Sequence, residues 1–161
     1  MPVIDSIGKN DLTYDEEYAI RSYVSSESYK INDKLRNNIK LNEQDNILIK
    51  NLDSALEKCY NYNGSVIRTV YISESELKEY LKDYKIGEKY TSKQYLSFSN
   101  KTGYNEDANI IIHIASKYGK NIRKYNEEEG EILYQRNSIF IIDDIVKKDK
   151  KIYMGWSEKN D

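Results

Sequence analysis

Four carboxylates crowd into the run Tyr125-Asn126-Glu127-Glu128-Glu129-Gly130-Glu131, immediately before the apolar stretch Ile132-Leu133-Tyr134. If Glu131 opens a strand while Glu129 closes the preceding loop, both acids can reach one cleft from neighbouring backbone positions. One can then stabilise a developing cation and the other activate an incoming nucleophile. Arg68, flanked by Val66, Ile67 and Val70, projects a guanidinium from an otherwise apolar strand. Its planar fork matches phosphate. Ser97 and Ser99 bracket Phe98, which puts both hydroxyls on one strand face and the ring on the other. Each piece alone has an ordinary reading: an ion-pair arginine, a plain strand, a solvated acidic loop. Together they suit an anionic, sugar-containing substrate better than a peptide, and they point to an enzyme.

The elements that must position these groups begin with helices. Thr13 and Glu16 fit a capping box, opening a helix that runs to about residue 24 with Tyr14, Ile20, Tyr23 and Val24 on an interrupted apolar face. A second helix carries Ile31, Leu35 and Ile39 on one side. A third, over residues 44–58, repeats Leu48, Leu52, Ala55 and Leu56 at helical spacing. From Ser65 the pattern changes. Val66, Ile67, Val70 and Tyr71 form a short strand, and Ser73 with Glu76 offers a second capping box for a helix ending before Gly87. Strand-like runs follow at residues 95–99, 110–115, 131–136, 139–142 and 152–156. The expected fold is α+β, with N-terminal helices packed on a mostly antiparallel, β-sandwich-like sheet. With one proline, no internal repeat and no low-complexity tract, residues 1–161 read as a single domain.

Composition narrows the function classes. A charged fraction of 32% beside 39% hydrophobic residues describes a wet surface, and no apolar run approaches the length that crosses a bilayer, so no membrane span is expected. A formal charge of -2 supplies no global positive field for nucleic acid. The basic cluster Lys147-Lys148-Asp149-Lys150-Lys151 reads as a solvated turn between strands. Cys59 aligns with the apolar face of the third helix and reads as a buried thiol, while His113 falls in a strand pattern as a structural residue. No metal is implied. The segment Met1-Pro2-Val3-Ile4-Asp5 has neither the basic region nor the long apolar core of a signal peptide.

Several motifs recur in a definite order: Leu12-Thr13-Tyr14-Asp15-Glu16-Glu17 with Ala19-Ile20-Arg21-Ser22-Tyr23, then Tyr29-Lys30-Ile31-Asn32-Asp33-Lys34-Leu35-Arg36, Arg68, Gln94-Tyr95-Leu96-Ser97-Phe98-Ser99, and Glu129-Gly130-Glu131-Ile132-Leu133. Across residues 12–142 the sequence thereby resembles the mono-ADP-ribosyltransferase toxin family, nearest in pattern to the enzymatic components of clostridial binary toxins such as iota toxin. The resemblance implies NAD as cosubstrate, with Arg68 clamping its phosphates, Arg36 a second phosphate contact, Asn32 binding nearby and Tyr23 helping to hold the dinucleotide. Ser97 would position Glu131, whose carboxylate binds the nicotinamide ribose and stabilises the oxocarbenium-like state as nicotinamide leaves. Glu129 would orient or deprotonate an acceptor guanidinium. That implies arginine as the target, since relatives modifying asparagine on Rho or guanine in nucleic acid generally have glutamine there.

The resemblance also places Tyr125 on the target-recognition loop and Tyr104 in the loop where relatives carry the aromatic that stacks on nicotinamide, without fixing which aromatic does so here. It departs from the pattern at Phe98, where the middle hydroxyl of Ser-Thr-Ser is lost, and at Thr69, where many relatives carry glycine or arginine. It implies a secreted protein, or one delivered into a target cell by a separate translocation component or apparatus. The acceptor would be a host or competitor protein, with actin a candidate. An NAD glycohydrolase and a noncatalytic binding module on the same scaffold are the alternatives.

Overall fold

The computed structural model describes residues 11–103 and 105–159. The N-terminal segment and Tyr104, with the roles expected of them, lie outside the described residues. Thr13 caps α1 (Tyr14–Ser22): its hydroxyl accepts from the Glu16 backbone N–H at 3.1 Å, and Glu16 Oε1 accepts from the Thr13 N–H at 2.8 Å. The chain then passes through one π-helical turn (Tyr23–Glu27) into α2 (Ser28–Arg36). The buried face of this first segment is Glu16, Ala19, Ile20 and Tyr23; Tyr14, expected on that face, is 81% exposed. Ile39 lies past the end of α2 and is also exposed. Asn42 caps α3 (Glu43–Lys58) through a reciprocal pair with Asp45. The box expected at Ser73 does not form, because its hydroxyl donates to the Glu76 carboxylate at 2.7 Å while α4 (Glu74–Leu81) begins without a side-chain cap.

Glu16 does more than cap. Only 4% exposed, it accepts from Lys58 Nζ at 2.7 Å and from the Ser54 hydroxyl, both on α3. Burial opposes its ionisation, but the bonds from Lys58, Ser54 and the Thr13 backbone together hold its carboxyl at about 2. A depressed acid stabilises the fold above its unfolded value, and that stabilisation fades as pH falls from about 4.5 toward 2. Glu16→Gln is expected to destabilise the protein at neutral pH by on the order of 3 kcal/mol. Urea melts at neutral pH and near pH 3 check this: the gap between variant and wild type should shrink in acid, and a gap independent of pH would contradict the linkage.

Among the described residues seven strands follow: β1 (Asn61–Val70), β2 (Lys89–Thr91), β3 (Leu96–Ser99), β4 (Ile110–Asn121), β5 (Glu131–Tyr134), β6 (Ile139–Lys148) and β7 (Lys151–Glu158). They lie in the order β1-β3-β5-β4-β7-β6-β2, and β1 pairs with β4 as well, so β1, β3, β5 and β4 close a circuit. Among the described residues only the β4–β7 pairing is parallel. The fold is thus α+β, helices first and a mixed, mostly antiparallel sheet after. The apolar runs mark only the first parts of β4 and β6 and the middle of β7, whose ladders continue into polar residues. β2 has no apolar run to mark it. Asp149 and Lys150 turn the chain from β6 to β7 with φ of 52° and 66°, the conformation that matches the strand twist in a two-residue hairpin.

Strand alternation sorts side chains into two cores. Phe98, Ile112, Ile132, Tyr134 and Trp156 pack together on the sheet side. Leu133 turns the other way, into a cluster with Ile20, Leu52, Leu56 and Tyr95 beneath the helices. Cys59 belongs to this second cluster, and burial pushes its thiol up to about 12, as befits packing rather than nucleophilic attack. Among the described residues no helix is long and apolar enough to cross a membrane.

Candidate active site

Glu131 is the first residue of β5 and shares the strand face of Leu133, which directs its carboxylate toward the helical layer. Antiparallel pairing sets Ser99 opposite Glu131 and Ser97 opposite Leu133, while Ile67 of β1 pairs with Ser99. Arg68, Ser97 and Glu131 therefore meet on three neighbouring strands. Arg68 Nη1 donates to the Ser97 carbonyl at 3.2 Å, which fixes the guanidinium on the β3 backbone.

The Glu131 side chain is buried, with 4% of the residue exposed. Asn126 Nδ2 donates to its Oε1 at 2.8 Å, and the Ser97 hydroxyl also hydrogen-bonds it. Burial pushes its carboxyl above the usual glutamate range, with the Glu129 charge adding to the shift and Asn126, Ser97 and Arg68 opposing it. A carboxylate held charged against its desolvation penalty interacts strongly with positive charge that develops beside it.

Glu129 is exposed, and the chain between the two acids is tightly clasped. The Ser99 hydroxyl donates to the Glu129 carbonyl at 2.5 Å, and the Asn100 N–H donates to the Gly130 carbonyl at 3.1 Å. Gly130 has φ +57°, and a Cβ there would lie 2.2 Å from Asn100 Oδ1. Glycine takes this left-handed conformation without strain, and a side chain in its place would have to displace the Asn100 amide. The pattern Glu-Gly-Glu was visible in the sequence, but the neighbour that crowds the glycine was not.

The helical candidates form a second tier. Tyr23, 2% exposed, comes from the π-helical turn; its hydroxyl accepts from Asn32 Nδ2 at 2.9 Å and its ring meets Tyr95 edge-on with centroids 5.7 Å apart. Asn32 Oδ1 accepts from the Tyr95 N–H at 3.0 Å, so both ends of this amide are used within the protein. Arg36 donates to Gln94 Oε1 at 2.8 Å and pairs with Asp33 at 3.2 Å. Asn32 and Arg36 thus hold the Gln94-Tyr95 segment that leads into Ser97. Tyr125, expected to face an acceptor, is half-buried in a 3₁₀ turn (Arg123–Tyr125), packs against the helical cluster, and carries the Arg21 guanidinium 4.7 Å above its ring. A large groove of about 850 Å³ lies elsewhere, between α1, α2 and α3, with Lys34 and Asp45 among its lining residues. Those two form an ion pair at 2.6 Å, and the groove is separate from Arg68, Ser97 and Glu131.

A family model described as ADP-ribosyltransferase exoenzyme matches residues 5–158. The chain belongs to the ADP-ribosyltransferase exoenzyme family. This is a family of NAD-dependent mono-ADP-ribosyltransferase toxins. Comparison with curated proteins returns no match. Among solved structures, the ADP-ribosyltransferase Vis of Vibrio splendidus, in complex with agmatine, superposes with TM-score 0.74 at 19% identity over 95% of this chain and 78% of that one. Exoenzyme S from Pseudomonas aeruginosa, bound to carba-NAD and human 14-3-3 protein beta, gives TM-score 0.78 at 15% identity over 91% and 74%. The enzymatic component C2-I of the Clostridium botulinum C2-toxin gives 0.69 at 20% over 92% and 44%. At these identities the likeness is one of fold. It does not single out the iota-like toxins: the clostridial component C2-I superposes no better than Vis or exoenzyme S.

Proposed function

We propose that the protein transfers ADP-ribose from NAD to an arginine on a target protein, as a toxin or effector that is secreted or delivered into a target cell. The observation that carries this reading is the pair of acids in opposite environments, Glu131 buried and Glu129 exposed two residues away. Environments that separate two carboxyl groups in this way divide the roles of stabilising a cation and handling a proton between them. The donor set also fits NAD chemically: the Arg68 guanidinium for the diphosphate, Arg36 at the edge as a second cation, the Ser97 hydroxyl and Glu131 carboxylate for a ribose, with Tyr23 and Asn32 shaping the side formed by the helices.

In the proposed reaction the bond between ribose C1′ and the nicotinamide nitrogen breaks, and nicotinamide leaves with the electron pair. Glu131 stabilises the positive character left on the sugar. An acceptor guanidinium nitrogen then bonds to C1′, and its proton passes to Glu129. Agmatine, bound by Vis, carries the same guanidinium that an arginine side chain presents, which supports this acceptor chemistry. Actin is the first protein to try as acceptor, on the strength of the binary-toxin pattern in the sequence.

The experiment combines the protein with labelled NAD, a cell lysate and purified actin, and quantifies protein-bound label and free nicotinamide separately. Glu129→Gln is expected to reduce protein labelling by about ten- to a thousand-fold while nicotinamide release stays within about three-fold of wild type. Equal labelling by wild type and Glu129→Gln would remove arginine from the reading. Release of nicotinamide with no labelled protein would favour glycohydrolysis.

A further inference from the structure

Asn126 ends the 3₁₀ turn, its N–H donating to the Arg123 carbonyl at 3.1 Å, and leaves the helical region with φ −148° and ψ 67°. From there it grips Glu131 twice. Its carbonyl accepts from the Glu131 N–H at 3.3 Å, and its amide Nδ2 donates to Glu131 Oε1 at 2.8 Å. The Glu131 carbonyl is held in turn by the Ile122 N–H at 3.2 Å. Residues 127–129, between the two gripped positions, are exposed. The loop that carries Glu129 is thereby pinched off at its base, and Glu131 is fixed independently of it.

We propose that Asn126 is a positioning residue of Glu131: its amide sets the rotation of the carboxylate and holds it in its buried site from the base of the loop that carries Glu129. The inference rests on the ADP-ribosyl-transfer reading above. A primary amide facing a carboxylate must present its N–H, since its oxygen would be repelled, and that bond is stronger to the charged form of the acid than to the neutral one. The other groups facing Glu131 come from every element around it: Arg68 from β1, Ser97 from β3, Tyr23 from the π-helical turn and Glu129 from its own loop. Arg68 and Ser97 act in the same direction as Asn126, while burial and Glu129 act against it. Removing the Asn126 amide leaves all of these in place and isolates its effect.

The test measures nicotinamide release from NAD by the full chain across the pH range for wild type, Asn126→Ala, Asn126→Asp and Glu131→Gln. Asn126→Ala is expected to lower kcat about ten- to a hundred-fold with KM for NAD within about two-fold, and to move the acid limb of the profile to higher pH. Asn126→Asp keeps the shape but sets carboxylate against carboxylate, so both the loss and the shift should be larger. Wild-type kcat and an unmoved acid limb in both variants would overturn the proposal, as would a loss that merely tracks the folded fraction by circular dichroism. Failure of the underlying reading has a different signature: wild type releases no nicotinamide, or its release survives Glu131→Gln. In that case, titrating the Glu131 carboxyl carbon by NMR in wild type and Asn126→Ala still decides, and an unchanged midpoint sinks the role of Asn126.

Discussion

Glu131→Gln is expected to slow nicotinamide release and protein labelling together, by several hundred-fold or more, while leaving the fold as stable as before or more so. The rate effect follows from where the charge acts. As the bond to nicotinamide breaks, positive character appears on the ribose, and a buried carboxylate stabilises that state more than it stabilises bound NAD. Glutamine has the same shape and still offers Oε1 to Asn126, so geometry survives and the charge alone is lost; a few kcal/mol of transition-state stabilisation corresponds to that rate loss. The stability effect has the opposite sign from that of Glu16. Burial raises the Glu131 carboxyl above its unfolded value of 4.5, so ionising it is harder in the folded state. The resulting penalty builds up as pH rises from about 4.5 through the raised value and is fully present beyond it. Removing the charge removes the penalty, and Tm at neutral pH should hold or rise. Single-turnover assays beside thermal melts check both halves. A variant that loses activity only because it unfolds would contradict the assignment.

How much of this was legible in the sequence depended on whether the signal was local. The capping box at Thr13 and the face of Leu52, Ala55 and Leu56 on α3 are set by neighbours three and four residues away, and both appear where periodicity placed them. The Ser73 box failed because the same two side chains can bond each other instead of the backbone, a choice that spacing does not reveal. Tyr14 misled because an aromatic beside an apolar stripe need not belong to it, and here α1 buries the small Ala19 and the charged Glu16 instead. At the site, Arg68, Ser97, Glu129 and Glu131 stood out as polar residues beside or within strand patterns. Asn126 did not, because an asparagine in an acidic loop looks like turn chemistry until Glu131 is folded back against it. Asn100 was silent for the same reason: its contact with Gly130 crosses between strands some thirty residues apart in sequence, at a position where only three-dimensional pairing brings the two together.

Arg68→Ala is expected to lower kcat/KM for NAD by about a hundred-fold, with most of the loss in KM and a further part in kcat. The KM part reflects the diphosphate. A guanidinium already fixed by its bond to the Ser97 carbonyl offers its remaining donors to phosphate with little ordering left to do, whereas a lysine at this place keeps the charge but not the fork. Arg68→Lys should therefore recover only part of the binding, as read by calorimetric titration of NAD. The kcat part reflects Glu131, because Arg68 is among the groups that hold that carboxyl down. Without it the acid limb should move to higher pH, in the direction expected of Asn126→Ala but accompanied by weakened binding. The two contributions separate in a double-mutant cycle. Once Glu131 is glutamine there is no carboxylate for Arg68 to support, so Arg68→Ala in that background should cost only the binding part. Strictly additive losses in kcat would show that Arg68 acts on NAD alone, and that its placement beside the buried acid carries no chemistry of its own.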